Sequence, residues 1–293
     1  TFALWFPEEP LHHQNTILKS LVTRSITGII YVGLIVGAIL GGPGWFYALA
    51  LLLGILGISE FDRLANPERI SSATILLDAI GAASVITTFA ARSVNPRLLS
   101  VGVFCTLVYL VARLVSQLYI SDGNPLRHYA VSLMGQLYVA LPIGLLTALY
   151  SFSPAVVLVL FIMIWLNDTG AFCVGSLFGR HRLFERVSPK KSWEGFFGGL
   201  AFCLACGAVC FYAFPGVFRF MNLGEVLGFA AVVSVFGTWG DLVESLIKRA
   251  IGVKDSGNIL PGHGGILDRV DSLLLVSPAV MAYLLALAAY ALV

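Results

Sequence analysis

Residues 195–214 read Gly195-Phe-Phe-Gly-Gly-Leu-Ala-Phe-Cys-Leu-Ala-Cys-Gly-Ala-Val-Cys-Phe-Tyr-Ala-Phe214, a run without one Asp, Glu, Lys or Arg. About 20 consecutive apolar residues are what an α-helix needs to cross the hydrocarbon core of a bilayer. Working outward, comparable runs lie near 21–40, 45–58, 72–91, 98–118, 129–150, 154–166, 224–240 and 272–292. The pattern predicts an all-α polytopic integral membrane protein with about nine transmembrane helices. The breaks between runs carry turn chemistry: Gly41-Gly42-Pro43-Gly44, Asn95-Pro96, Ser121-Asp122-Gly123-Asn124-Pro125 and Ser153-Pro154.

Composition points the same way. Of the 293 residues 58% are hydrophobic and 12% charged, where a soluble domain carries roughly 25% charged residues. A formal charge of +2, with no basic stripe interleaved with aromatics, argues against a nucleic-acid partner. The chain opens on Thr1 rather than Met, so the first dozen residues, Glu8 and Glu9 among them, are set aside from the fold reading. No cleavable signal peptide is evident. Cys105, Cys173, Cys203, Cys206 and Cys210 all fall inside apolar runs, and the single C-x-x-C lacks the second ligand pair of a zinc site, so buried inert thiols are expected.

Placing the amino terminus in the cytoplasm puts 15 of the 18 Lys and Arg on that side, leaving Arg92, Arg97 and Arg219 opposite. Residues 1–150 are expected to be a scaffold of transmembrane helices, and 151–293 the catalytic part. No internal repeat is evident, which disfavours transporter folds built from inverted halves. The G-x-x-x-G pairs Gly33/Gly37 and Gly195/Gly199 suit close helix packing, within one subunit before an oligomer contact. Asp78 lies inside the third run and is expected to be paired or hydrated in a structural role.

Polar chemistry concentrates in the second half. Asn167-Asp168-Thr169-Gly170 interrupts an apolar stretch, which lipid tolerates only where the chain lines a cavity or packs on protein. Ser188-Pro189-Lys190-Lys191-Ser192 suits a polyphosphate or an anionic headgroup, and equally the basic flank of a membrane span. In Asp241-Leu-Val-Glu244-Ser245-Leu-Ile-Lys248-Arg249, residues Asp241, Glu244, Ser245 and Lys248 share one helix face. A Gly-rich loop follows with Lys254, His263, Gly264 and Gly265, whose backbone N–H groups can approach a phosphate. The chain then re-enters through Asp268, Arg269 and Asp271. Antiparallel helix ends would bring Asp241, Asp268 and Asp271 to one point, and carboxylates without a Cys or His cluster suit Mg²⁺ held jointly with substrate phosphates. A salt-bridged hairpin explains the charges but not the Gly-Gly pair, the His or carboxylates at the membrane edge.

The run Ser245-x-Ile-Lys248-Arg249-x4-Lys254-Asp255-x-Gly257-x2-Leu260-Pro261-x-His263-Gly264-Gly265-x2-Asp268-Arg269-x-Asp271 resembles the signature of the phosphatidate cytidylyltransferase, or CDP-diacylglycerol synthase, family. The Asn167–Gly170 and Ser188–Ser192 segments are similar to that family as well, whereas the first 150 residues carry no motif. The resemblance implies transfer of CMP from CTP to phosphatidic acid in phospholipid biosynthesis, with release of pyrophosphate. It also implies Mg²⁺, K⁺ as a second cation, a homodimer, and a site on the cytoplasmic side of the inner membrane.

On that reading Asp241, Asp268 and Asp271 hold metal. Lys248, Arg249, Lys254 and Arg269 hold phosphates, and Lys190 and Lys191 meet the triphosphate or lipid headgroup. Asn167, Asp168, Ser188, Glu244 and Ser245 contact substrate, as do His263, Gly264 and Gly265 through the loop. Two other classes are distinguishable: a CTP-dependent polyprenol kinase would need a base to activate an alcohol, and a transporter would spread its charges through several spans.

Overall fold

A computed structural model describes residues 11–66, 71–91, 94–120, 124–257 and 264–290, with side chains from residue 26 onward. The helices are α1 Leu11–Gly41, α2 Pro43–Ala65, α3 Ser72–Ala90, α4 Arg97–Ser116, α5 Pro125–Gly135, α6 Leu141–Phe152, α7 Pro154–Phe178, α8 Trp193–Ala213, α9 Leu223–Ile251 and α10 Leu267–Tyr290. A π-helical turn, Gln136–Ala140, joins α5 to α6 in one 28-residue span. Among the described residues eight spans are long and apolar enough to cross a membrane, and α1 adds a shorter apolar stretch, Ile26–Gly41. The chain is an all-α multi-pass membrane protein, as its apolar runs predict.

Several helices outrun those apolar stretches. The run 154–166 continues unbroken through Asn167 and Asp168 to Phe178, and the run 224–240 continues to Ile251. Hydropathy falls there without ending the helix, because polar residues such as Asn167 and Glu244 turn into the protein and are buried. The true ends carry caps. Ser153 accepts from Val156 N–H ahead of Pro154, Asn222 and Glu225 form a capping box, and α9 stops at Gly252, whose φ of 81° is one that L side chains rarely adopt.

The basic stretch between α7 and α8 is a small antiparallel hairpin, β1 Arg182–Phe184 and β2 Ser188–Ser192, with a register shift between Arg182 and Phe184. Ser192 ends β2 and also caps α8, accepting from Gly195 N–H at 3.1 Å. Glu194 accepts from the backbone N–H groups of Arg180 and His181, and its carboxylate lies 2.6 Å from His181 Nδ1. Together they tether the strand that bears Lys190 and Lys191.

Close packing follows the small residues. Gly195 and Gly199 lie against α7, the first beside Ala171 O and the second beside Asn167, so this pair packs within one chain. A Cβ on Gly33 or Gly37 would meet nothing within 4 Å. At Gly240 a Cβ would stand 2.7 Å from Asp271 O and 2.9 Å from Ser272 Cα, so this glycine lets α9 approach α10. Gly240→Ala is expected to cost about 1–3 kcal/mol by overpacking and to lower activity by moving α10. Denaturant unfolding in detergent checks the stability half, and an unchanged midpoint would mean the helices part without strain.

Asp78 is fully buried and paired, as expected. Its carboxylate accepts from Tyr109 at 2.8 Å and Ser132 at 2.6 Å, with Arg113 Nε 3.4 Å away. Arg113, one of the 15 basic residues counted on the cytoplasmic side, is therefore a buried partner inside α4. The cysteine expectation needs correction. Cys203 and Cys210 are buried, but Cys105 and Cys206 are half-buried and Cys173 is exposed, because α7 turns that face away from its neighbours.

Candidate active site

The site forms where the carboxyl-terminal half of α9 crosses the first turns of α10. On α9, Ser245 Oγ donates to Asp241 Oδ1 at 3.2 Å and Lys248 Nζ donates to Glu244 Oε2 at 2.9 Å, as expected for residues four apart on one face. The crossing brings Asp271 to this face, and carboxylate oxygens of Asp241, Glu244 and Asp271 lie within 4.8 Å of one another. Glu244 is only 1% exposed, and its Oε1 has no hydrogen-bond partner among the described residues. Three hard oxygen donors, one of them a buried acceptor with nothing to accept, fit a divalent cation of the Mg²⁺ or Ca²⁺ kind.

Asp268 is placed differently from Asp271. Its Oδ1 receives Lys248 Nζ at 2.6 Å, and its Oδ2 receives Ser256 N–H at 3.0 Å, Ser256 Oγ at 2.9 Å and Gly265 N–H at 2.8 Å. Oδ2 is thus occupied in folding the loop onto α10, and Oδ1 in holding Lys248 of α9. Glu244, expected as a substrate contact, takes the place beside Asp241 and Asp271. The Gly265 N–H, expected to face a phosphate, is already given to Asp268. Gly264 has a φ of 81°, and a Cβ there would collide with the Asp268 carboxylate. His263 lies outside the described residues.

Two cavities meet at the carboxylates. The smaller, about 160 Å³, is lined by Asp168, Asp241, Asp268, Arg269 and Asp271 together with Tyr31. The larger, about 490 Å³, has Arg182, Lys190, Lys191 and Ser192 on its wall and apolar Phe172, Leu183 and Phe196 beside them. Asp168 and Asp241 line both. Lys191 Nζ lies 2.7 Å from Asp241 Oδ2 and donates to Thr238 O at 3.4 Å, so the lysine pair and the carboxylates form one constellation.

Other expected residues stand back from it. Asn167 reaches the larger cavity but is buried, accepting from Ser234 Oγ at 2.6 Å and donating to Thr238 Oγ1 at 3.3 Å. Ser188 is half-buried in β2. Arg249 is exposed and donates to Val253 O at 3.2 Å, and Lys254 is exposed; neither lines either cavity. Three residues not singled out in the sequence stand in or beside this constellation: Thr238 in the larger cavity, Tyr31 in the smaller, whose hydroxyl donates to Arg269 O at 2.8 Å, and Glu60, whose carboxylate accepts from Ile266 N–H at 2.8 Å at the start of α10. A signal existed for Glu60. With Asp62 it continues an apolar helix instead of closing it.

Membrane-crossing helices whose ends gather carboxylates against lysines across two adjoining cavities define a multi-pass membrane enzyme that acts on phosphates. The model of the cytidylyltransferase family matches residues 22–287. The phosphatidate cytidylyltransferase of Staphylococcus haemolyticus (strain JCSC1435) is 34% identical over 266 residues, 89% of this chain and 82% of that protein. That of Staphylococcus aureus (strain COL) is 50% identical over 122 residues, 42% of this chain and 46% of that protein. The Staphylococcus epidermidis protein (strain ATCC 12228 / FDA PCI 1200) of the same name is 48% identical over 127 residues. The chain belongs to the cytidylyltransferase family.

Proposed function

We propose that this chain transfers CMP from CTP to phosphatidic acid, giving CDP-diacylglycerol and pyrophosphate, at the cytoplasmic face of the inner membrane. The observation that carries the reading is the joining of the carboxylate cluster to a lysine-lined cavity through Lys191 and Asp241. Family membership favours nucleotidyl transfer over kinase or transport chemistry, and the bias of Lys and Arg towards one side of the spans supports a cytoplasmic site.

Asp241, Glu244 and Asp271 would hold a divalent cation, with Asp268 beside them. A cation bound there would neutralise triphosphate charge and make the α-phosphorus a better electrophile. Lys191 and Lys190 hold phosphate oxygens from the larger cavity, and Arg269 does so from the smaller. The phosphate of phosphatidic acid is anionic near neutral pH, so it attacks without a dedicated base. What the protein supplies is alignment and charge compensation. K⁺ as a second cation and a homodimer belong to the same proposal, and rest on the family resemblance alone.

The bond that breaks tests the reaction. Purified protein is given Mg²⁺, phosphatidic acid and CTP labelled at either the α- or the γ-phosphorus, and the lipid is extracted. Label is expected in lipid from α-labelled CTP only, with γ-label in pyrophosphate. Lipid carrying γ-label would mean phosphoryl transfer and sink the proposal.

A further inference from the structure

Glu60 lies near the end of α2, in the half of the chain that carries no motif, yet its contacts are made across the molecule with residues 196 to 207 positions away. Its buried carboxylate accepts from Ile266 N–H at 2.8 Å and Leu267 N–H at 3.3 Å, and from Ser256 Oγ. These two N–H groups stand at the start of α10, where a helix has no internal acceptor for them and where its dipole favours an anion. Gly257 packs on the same carboxylate, and a Cβ at Gly265 would collide with it, so the loop is shaped around Glu60 from both sides. The Ser256 hydroxyl also lies 2.9 Å from Asp268 Oδ2, and Asp268 holds Lys248, which holds Glu244. A continuous polar path therefore runs from α2 to the carboxylate cluster.

We propose that Glu60 is a positioning residue for the reaction. By fixing Ser256 and the first turn of α10, it sets where Asp268 and Asp271 stand and so how tightly the Asp241, Glu244 and Asp271 cluster binds its divalent cation. The inference rests on the proposed cytidylyl transfer for its kinetic consequence, but not for its structural one. The rival role is a weld between α2 and α10 that contributes stability and nothing else.

Glu60→Gln separates the two, since it keeps the size of the side chain and removes the charge. Three measurements are made on the purified full chain in detergent. Hydrogen exchange over residues 264–270 is expected to quicken about tenfold relative to α9, the equivalent of one good hydrogen bond lost. The Mg²⁺ concentration that half-maximally raises the thermal midpoint should rise about 10- to 100-fold, the usual effect of removing a residue that supports a metal ligand. The Mg²⁺ needed for half-maximal turnover should rise with it, while the KM for phosphatidic acid stays within about twofold. Should this variant fail to fold, Glu60→Asp and Ser256→Ala interrupt the same path more gently and are expected to shift the same Mg²⁺ response.

Wild-type exchange and an unchanged Mg²⁺ response would overturn the proposal. So would a general loss of stability and turnover in which the Mg²⁺ dependence stays put, because that is the signature of a weld. If the wild-type chain itself makes no CDP-diacylglycerol, the assigned reaction falls, and the exchange and thermal measurements still decide the role of Glu60.

Discussion

Asp271→Asn is expected to reduce turnover roughly a thousandfold, the scale of the several kcal/mol that a Lewis-acid cation contributes, without destabilising the fold. The reasoning starts from like charge. Asp241, Glu244 and Asp271 hold carboxylate oxygens within 4.8 Å of one another, so neutralising one relieves repulsion in the cation-free protein. The thermal midpoint without Mg²⁺ should therefore hold or rise, while the stabilisation gained on adding Mg²⁺ shrinks. Asp268→Asn should behave in the opposite way. It takes a charge from Lys248 and loosens the loop, so the midpoint falls before any cation is added. Near-normal turnover in Asp271→Asn, with an ordinary Mg²⁺ response, would place the cation somewhere else.

The largest loss of stability is expected from Lys248→Met. Lys248 Nζ lies 2.9 Å from Glu244 and 2.6 Å from Asp268, and the side chains of the three residues are 12%, 1% and 8% exposed. Removing the cation leaves two carboxylates in a poorly hydrated place without their shared partner, a change that costs about 3–5 kcal/mol in comparable buried pairs. Methionine keeps most of the length, so lost packing is a minor part of the effect. Chemical denaturation in detergent measures it, and Lys248→Met/Glu244→Gln should recover part of the loss because only one charge then remains unpaired. A shift below about 1 kcal/mol would show that water reaches the pair and screens it.

Much of this fold is legible in the chain because lipid imposes a single requirement on a spanning segment, and the run 195–214 meets it openly. The helical face of Asp241, Glu244, Ser245 and Lys248 is legible for the same kind of reason, since 3.6-residue periodicity is local. Helix ends are less so. Asn167 and Glu244 lower the hydropathy of α7 and α9 but are turned inward, and inwardness depends on the neighbouring helix. The placement of Glu244, rather than Asp268, beside Asp241 and Asp271 also had no local signal. Both are acids on the right helices, and only the crossing of α9 over α10 at Gly240 decides which one joins Asp241 and Asp271. The acids Glu60 and Asp62 inside an apolar helix were a local signal, but the partners of Glu60 were hidden by distance along the chain, lying some two hundred residues away.

Asp168 and Asp241 belong to both cavities and, among the described residues, are the only ones common to their walls. The two chambers are therefore not independent vessels, because two of the same charges face into each. On the proposed reading, a cation settling in the smaller chamber would weaken the repulsion that a polyanion entering the larger one would otherwise meet. Linkage would then require reciprocity: each would raise the affinity of the other by the same factor, whichever arrived first.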